Sequence, residues 1–497
     1  MLGLFTAKGE HPLADAREAK RVLGELPAKD PVAALDSAGA WLESLPATTD
    51  FRPERRLELI LQIDETVLPQ TRRLCREYLT AKRLGRTQEF RHWQINRRYW
   101  GHLVVAYEDV MVRYLGGEKG ADAIKSHLPL LCARLLHAYS GRLKWDQFRY
   151  GPIDPQVWAA SGGAYLAALQ ARAHRKSIRL YGADSETTVE AEYLRLLIFQ
   201  ASSMDNLLPV EIEIAERIIA HVLTTFTLID HAHPDNVYWV DIQKPLRPTR
   251  LAKLPEITPG LRFFNTRSAL DALAKLRAAV DMTGNLPAEI NFGGQYSAQL
   301  ALPVMNHLAT CWAPVPPMRD HPRHRIKSRM TVTSGMANVY QRVAGLPISP
   351  DELGESWVVE DVSQGGIGAH VALIGQDWLR VGCLLGMQPE GGNNWLIGVV
   401  RRFSRESDAI GVVGVQTLSR TPQSFVADSG GLRTEIIVLD ALVPGAEVGA
   451  VLPDMAWEDK TPMRVLVESS GYRLLPMALE ETASGYMIGR YRVERLT

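Results

Sequence analysis

The densest group of basic side chains in the sequence lies at residues 323–330, which read RHRIKSRM. Its members are Arg323, His324, Arg325, Lys327 and Arg329. A guanidinium group binds phosphate through two parallel N–H donors and also stacks on nucleobases, so Arg325 and Arg329 suit a ligand that carries phosphate. The R-x-x-x-R spacing alone is weak, because it recurs in the chain and more often marks the solvated face of a helix.

A second polar motif, at residues 360–366, reads EDVSQGG and lies between two apolar runs, 357–359 and 367–369. This arrangement predicts a strand that enters, turns at the paired glycines and leaves as another strand. Asp361 and Ser363, two residues apart, are then expected on one face of the strand end. A carboxylate and a hydroxyl there either bind a guanine edge or fix the backbone of the turn. A plain hairpin turn is the competing interpretation.

Upstream of both motifs, the first three-fifths of the chain read mainly as helix. In residues 55–84 apolar side chains recur at helical spacing with arginines on the other face, and Pro69 is expected to interrupt or bend the helix. Further helices are predicted at 97–117, 122–140, 186–229 (a pair split near Pro209), 267–282 and 296–309. No fixed repeat period is present. We therefore expect a helical bundle or irregular solenoid over residues 1–310.

After residue 330 the chain changes to short β-like runs separated by Gly, Pro, Asn and Asp. This pattern predicts an antiparallel β-barrel over residues 331–420, with residues 311–330 as a linker that carries the arginine pair. A further β-rich segment, 433–497, either closes a second small barrel or extends the first sheet. The expected fold class is multidomain α + β, with a large all-α N-terminal region and a C-terminal antiparallel barrel.

Composition excludes several classes of protein. The 497 residues include 56 basic and 56 acidic side chains, so the formal net charge is zero, unlike that of a nucleic-acid coat protein, and we expect no DNA partner. No apolar run is long enough for a transmembrane helix, and the first ten residues do not read as a signal peptide. Four scattered cysteines fit a reducing cytoplasm.

Taken together, R-x-x-x-R at the start of the β region and D-x-S-x-x-G on its first hairpin resemble the PilZ domain. The resemblance covers residues 323–420 and includes the later strand-like runs at 378–382, 395–401 and 411–415. It implies a six-stranded β-barrel that binds the bacterial second messenger cyclic di-GMP. One departure is the separation of 32 residues between Arg329 and Asp361, which contains a Gly/Pro-rich insert.

The resemblance also implies a role for each residue of the two motifs. Arg325 and Arg329 match the arginines that lie on a flexible segment, hold the phosphates and stack on guanine. Asp361 and Ser363 match the residues that bind the ligand or shape its site. Gly366 matches the glycine that permits close approach of the backbone.

These inferences predict a cytoplasmic bacterial effector that binds cyclic di-GMP and contacts a protein partner through its helical module. The expected outputs are those of the family: pili, flagellar motility, adhesion or exopolysaccharide, and hence biofilm. We expect no catalytic residue, no metal and no cofactor beyond the ligand. Two alternatives stay open: a PilZ-shaped adaptor that binds no nucleotide, and an enzyme built on the helical region.

Three other segments contain residue types that can bind ligands. Residues 230–235, DHAHPD, have two interpretations: a metal site that His321 and His324 join, or, more simply, a helix end followed by a polar loop. The Ser161-Gly162-Gly163 turn is either an anion site or a plain loop and helix cap. Residues 72–98 combine many arginines with aromatic residues, which fits contact with a nucleic acid or an acidic partner, or simply an amphipathic helix.

Overall fold

The chain forms two compact units in the computed structural model. A helical unit comprises residues 1–149, 153–204 and 209–317, and a barrel unit comprises residues 150–152, 205–208 and 318–497. The structure describes residues 11–26, 30–49, 51–80, 85–182, 186–291, 296–316, 318, 321–347, 354–373, 378–468 and 470–496.

The helical unit contains eleven α-helices within its described residues. They are α1 (Ala16–Glu25), α2 (Pro31–Ala47), α3 (Pro53–Thr80), α4 (Arg86–Leu115), α5 (Leu128–Gln147), α6 (Gln156–Gln170), α7 (Val189–Ala201), α8 (Pro209–Val222), α9 (Arg267–Thr283), α10 (Ala288–Asn291) and α11 (Ala298–Trp312). Short 3-10 helices lie at Pro12–Ala14, Ala121–Ser126 and Leu223–Thr225, and another spans Met204–Asn206.

Helix ends follow local chemistry. The Thr188 hydroxyl accepts a hydrogen bond from the Ala191 amide at 3.0 Å and so caps the start of α7. Helix α4 ends at Leu115, close to the predicted end at 117, where Gly117 has a φ of 65° that suits a helix end. Helix α3 runs through Pro69 without interruption, and the predicted continuation at 81–84 lies outside the described residues.

A buried carboxylate ties several helices together. Asp64 on α3 accepts hydrogen bonds from Arg134 at 2.7 Å, from the Tyr107 hydroxyl at 2.9 Å and from the Tyr181 hydroxyl at 3.0 Å. Arg134 also lies over the ring of Tyr181, 3.7 Å from its centroid. Burial raises the pKa of both tyrosines well above the usual value, which keeps their hydroxyls as donors to this carboxylate.

A second buried group of charges joins α5 to α8. Glu213 accepts from Lys144 at 2.9 Å and from Arg217 at 2.8 Å. Burial alone would raise the pKa of Glu213, but the two cations outweigh it and lower that pKa to about 2. Because a buried charge is costly unless it is paired, this cluster depends on all of its members.

Two small sheets complete the helical unit. Strands β1 (Ile178–Arg179) and β2 (Glu186–Thr187) pair with each other. The other sheet has the order β3-β6-β4-β5, with β3 at Leu228–Ile229, β4 at Asn236–Asp241, β5 at Thr249–Arg250 and β6 at Leu261–Asn265. The sequence predicts only a connector here, because four consecutive residues of β6 are buried and the alternation typical of a half-exposed strand is absent.

The barrel unit contains two closed six-stranded antiparallel barrels. Barrel 1 has the order β10-β11-β12-β9-β8-β7. Its strands are β7 (His324–Ser334), β8 (Glu355–Val362), β9 (Gly366–Ala372), β10 (Leu384–Pro389), β11 (Leu396–Arg405) and β12 (Ile410–Ser419). Trp357, Phe403 and Met387 are among the side chains that fill its interior.

Barrel 2 has the order β13-β14-β15-β18-β17-β16. Its strands are β13 (Gln423–Ser429), β14 (Leu432–Val438), β15 (Glu447–Pro453), β16 (Met463–Val467), β17 (Ser470–Ala483) and β18 (Tyr486–Arg495). Of the two interpretations of the last β-rich segment, the closed second barrel is therefore the observed one.

Helix α12 (Met336–Val343) lies between β7 and β8 in sequence and packs between the two barrels. Its apolar residues Met336, Val339 and Tyr340 share one buried cluster with Val399 of barrel 1 and Ile437 of barrel 2. This helix contributes eight of the residues that separate Arg329 from Asp361. The part of the Gly/Pro-rich insert at 348–350 lies outside the described residues. The expected fold class, helices followed by an antiparallel barrel and a further β-rich segment, is confirmed.

Candidate ligand-binding site

The five residues predicted for the site lie on three consecutive strands of barrel 1 and the turn between two of them. Arg325 and Arg329 are on β7, Asp361 is near the end of β8, Ser363 is in the β8–β9 turn, and Gly366 begins β9. The arginine pair thus belongs to a paired strand, whereas the sequence analysis assigned residues 311–330 to a linker.

A β-bulge in β8 sets the direction of the Asp361 side chain. Val359 pairs with Ala369 but Asp361 pairs with Gly368, so two residues of β8 advance against one residue of β9. Such a bulge places neighbouring side chains on the same face of the sheet. Glu360 confirms this, because it contacts His370 at 3.1 Å on the outer face of the barrel, outside the core that contains Val359 and Ala369.

Asp361 is held from two sides. Its carboxylate accepts from Arg323 Nη1 at 3.0 and 3.1 Å, and the two side chains are 26% and 43% exposed respectively. Below it lies Gly368, where an added Cβ would stand 2.9 Å from Asp361 Oδ1 and 3.0 Å from Cγ. Glycine at 368 therefore provides the space that the carboxylate occupies.

The β8–β9 turn is fixed by its own polar groups and by one arginine. The amide of Ser363 donates to the Gly366 carbonyl at 2.8 Å, and the Ser363 hydroxyl donates to the same oxygen at 3.3 Å. Arg420 donates to the carbonyls of Ser363 and Gln364 at 3.3 and 3.0 Å. Of the two roles considered for Ser363, the fixing of the turn is thus observed.

The close approach of β12 explains why residue 366 is a glycine. A Cβ at this position would lie 2.6 Å from the carbonyl oxygen of Val415, on the neighbouring strand β12. Because real Cβ atoms do not approach a backbone oxygen this closely, any other residue would force β9 away from β12.

The two arginines of the R-x-x-x-R pattern have different surroundings. Arg325 pairs directly with Asp361 across β7 and β8, and its exposed guanidinium makes no hydrogen bond or ion pair to any residue that the structure describes. Arg329 pairs with Val358, and its Nη1 donates to Ser356 Oγ at 3.2 Å. Ser356 lies five residues before Asp361 on β8, on the order of 15 Å along the strand.

The surroundings of Arg325 and Arg329 differ because β7 contains a second bulge. Between Arg325 and Ser328, three residues of β7 advance against two residues of β8. Four residues along a regular strand return to the same face, but this bulge breaks that alternation. The structure therefore brings Arg325, Asp361, Ser363 and Gly366 together at one end of the barrel, and holds the Arg329 guanidinium towards Ser356.

The chemistry of this end of the barrel favours an anion with a polar, planar part. Arg323, Arg325 and Arg420 supply positive charge, while Asp361 supplies a carboxylate acceptor beside them. Arginine donors bind phosphate oxygens strongly, and a carboxylate accepts from the N–H edge of a base. Sequence reasoning identified the basic cluster but missed the positioning roles of Gly368 and Arg420, which depend on contacts distant in sequence.

The possible metal site at residues 230–235 does not assemble. His231 Nδ1 lies 3.0 Å from Asp230, and His233 Nδ1 lies 3.7 Å from Asp235, with all four side chains exposed. No cluster of three or more His, Cys, Asp or Glu suited to a metal occurs within the described residues.

The Ser161-Gly162-Gly163 segment is neither an anion-binding turn nor a cap, because it lies inside α6. A Cβ on Gly162 would stand 2.0 Å from the carbonyl oxygen of Ile242, just beyond β4. The glycine is therefore a packing residue that lets the helix approach the backbone of the small sheet.

The basic segment 72–98 divides between α3 and α4, and Lys82 and Arg83 lie outside the described residues. Phe90 is 45% exposed and stacks on Trp93, and Arg149 lies 5.0 and 5.2 Å from the two ring centroids.

Among the helices of the described ranges, none combines the length and apolar character needed to cross a membrane.

Comparison with known proteins gives a match in the helical unit. None of the curated proteins matches the chain. Residues 17–233, less than half of the chain, match the family model described as the N-terminal domain of the cyclic-di-GMP receptor FimW. This range runs from α1 to α8 and ends before either barrel. Residues 17–233 of the helical unit are thus similar to the N-terminal domain of a cyclic-di-GMP receptor.

Proposed function

We propose that this protein is a cyclic di-GMP receptor whose ligand binds at the β7–β8–β9 end of barrel 1. In this proposal barrel 1, residues 324–419, is a PilZ-like domain whose first strand carries both arginines, and barrel 2 follows it in the chain. The ligand contacts are Arg325, Arg329, Asp361, Ser363 and Gly366. The protein acts as a cytoplasmic bacterial effector and binds its ligand without converting it.

One observation carries the proposal: Arg325, whose guanidinium has no hydrogen bond or ion pair among the residues that the structure describes, lies directly across from Asp361, beside the turn that Ser363 and Gly366 form. A guanidinium and a carboxylate on adjacent strands offer a donor for a phosphate and an acceptor for a guanine edge at the same place. The similarity of residues 17–233 to the N-terminal domain of a cyclic-di-GMP receptor supports the same ligand independently.

Ligand binding requires two local changes in this arrangement. The Arg323–Asp361 ion pair is partly exposed, so opening it costs only about 0–1 kcal/mol. Arg329 must leave Ser356 and turn towards the ligand, which exchanges one neutral-acceptor hydrogen bond for charge-assisted bonds to phosphate. In both changes the arginine that moves lies within residues 323–329, which then serve as the segment that reports ligand binding.

The helical unit is the proposed site for a protein partner. Its exposed Phe90, with Arg149 and Trp93 stacked beside it, forms an aromatic and basic surface suited to an acidic partner segment. The process regulated, by analogy with the PilZ family, is one of pilus, flagellar or polysaccharide output.

The test is equilibrium binding of fluorescently labelled cyclic di-GMP to wild type and to three single variants. Arg325→Ala and Arg329→Ala each remove charge-assisted hydrogen bonds of about 1.5–3 kcal/mol, so each is expected to weaken binding by roughly 10-fold to 150-fold. Lys327→Ala is the matched control, because it removes a positive charge from the same strand between the two arginines, and it is expected to change affinity less than about 5-fold.

Equal losses in all three variants would indicate a nonspecific electrostatic effect and contradict the assigned contacts. Absence of binding by folded wild-type protein would instead favour the alternative, an adaptor that has the barrel but acts only through protein contacts.

A further inference from the structure

Barrel 2 has a cleft on its surface, away from the residues of the proposed cyclic di-GMP site. The cleft has a volume of about 460 Å³. It is lined by Asp428, Gly430, Gly431, Thr461, Pro462, Arg464 and Arg473. This volume lies within the range of pockets that hold small molecules, roughly 300–1,000 Å³.

A row of charged side chains crosses the strands at this cleft. In register order the row is Arg433, Asp428, Arg464, Arg473 and Glu494, on β14, β13, β16, β17 and β18. Residues directly opposite each other in antiparallel strands project from the same face of the sheet. The row holds three cations and two anions, and its third and fourth members, Arg464 and Arg473, are neighbours of the same charge.

The pairing of Arg464 with Arg473 is unfavourable as it stands. Like charges directly opposite in antiparallel strands destabilise the pair. The neighbouring carboxylates do little to compensate. Arg473 reaches Glu494 only at 3.8 Å, and Asp428 accepts instead from the amide of Gly431 at 2.8 Å. Arg464 forms no ion pair with any residue in the described part of the chain.

We propose that this cleft is a second anion site, for a small molecule that carries a phosphate group. A phosphate between Arg464 and Arg473 would neutralise their mutual repulsion and accept bidentate hydrogen bonds from both guanidinium groups. The remaining volume accommodates the body of the ligand beside the Gly430-Gly431 turn.

The test uses the full chain with inorganic phosphate and with guanosine monophosphate as probes, against chloride at equal ionic strength. Binding is measured by calorimetry and by the shift in melting temperature. Arg464→Gln and Arg473→Gln are each expected to weaken phosphate binding at least 10-fold. The matched control is Arg492→Gln, an exposed arginine of β18 that contacts Glu447 at 3.5 Å outside the cleft. It is expected to bind as wild type does.

A lower dissociation constant for guanosine monophosphate than for phosphate would support a phosphorylated small molecule as the ligand, provided that both variants weaken guanosine monophosphate binding. Equal binding by all four proteins would mean an adventitious ion only and overturn the proposal, as would absence of binding by wild type. Without any phosphate, at low ionic strength, the two cleft variants are also expected to melt no lower than wild type. Lower melting in both would show that the arginine pair is a stabilising contact and would contradict the proposal.

Discussion

Replacement of Gly368 by alanine tests whether the position of Asp361 determines ligand affinity. The new Cβ would lie 2.9–3.0 Å from three atoms of the Asp361 carboxyl group. That separation is well inside normal contact, so the carboxylate must move by several tenths of an ångström. Because Gly368 does not have a positive φ, the substitution adds no backbone strain of that kind. The expected effect is therefore on the site rather than on the fold.

The magnitude follows from the hydrogen bond that is lost or misaligned. A hydrogen bond to a charged group contributes about 1.5–3 kcal/mol, so Gly368→Ala is expected to weaken cyclic di-GMP binding by roughly 10-fold to 150-fold. Asp361→Ala should cost a similar amount. If Gly368 acts only through Asp361, the double variant binds about as Asp361→Ala does, within roughly 0.5 kcal/mol of it.

The assay is calorimetric titration of the four proteins in this double-mutant cycle, with thermal melting to show that each is folded. Additive losses in the double variant would refute the reasoning, because they would mean that Gly368 acts independently of the carboxylate. An unchanged affinity in Gly368→Ala would refute it as well.

Three further predictions concern the rest of the chain. Gly162→Ala should lower the free energy of unfolding by about 2–3 kcal/mol, because its Cβ overlaps a backbone oxygen. Gly163→Ala, with open space around it, should be neutral or stabilising by up to about 1 kcal/mol. Denaturant unfolding distinguishes the two variants, and equal effects would contradict the packing role of Gly162. Glu213 has a pKa lowered to about 2 from its ordinary 4.5, so the stability it contributes is present above pH 4.5 and is lost as the pH falls towards 2. The Glu213→Gln variant should be less stable at pH 7 by about 3 kcal/mol, and its melting temperature should decline less steeply than that of wild type between pH 4.5 and 2. Parallel declines in the two proteins would argue against the assigned pKa. Arg420→Ala should speed hydrogen exchange at the Ser363 amide and weaken ligand binding several-fold, and unchanged exchange would show that the arginine does not hold the turn.

Much of the architecture could be predicted because its signals are local. Periodic apolar residues indicated α4 and α9, and the change to short apolar runs indicated barrel 1 and a further β-rich segment. Helix α12 also has a readable pattern, with Met336, Val339, Tyr340 and Val343 at helical spacing, but it is only eight residues long and precedes a Gly/Pro-rich stretch. The small sheet of the helical unit was missed because β6 is buried on both faces and shows no alternation.

The details of the site depended on features that no local pattern encodes. The bulges in β7 and β8 arise from strand pairing, and they decide that Asp361 faces outward and that Arg329 does not share the position of Arg325. The contacts of Gly368 and Arg420 join residues that the fold brings together. The motif spacing therefore nominated residues for the site, but the directions of their side chains could be seen only in the barrel.

The most direct test of the account is a calorimetric titration of the purified full chain with cyclic di-GMP, with guanosine monophosphate as the control ligand. We expect saturable binding of cyclic di-GMP that Arg325→Ala weakens by at least about 10-fold. The ligand should also raise the melting temperature of wild-type protein. No heat and no rise in melting temperature with folded wild-type protein would contradict the central claim. Binding that is equally strong in Arg325→Ala would leave a receptor but contradict the site at the end of barrel 1.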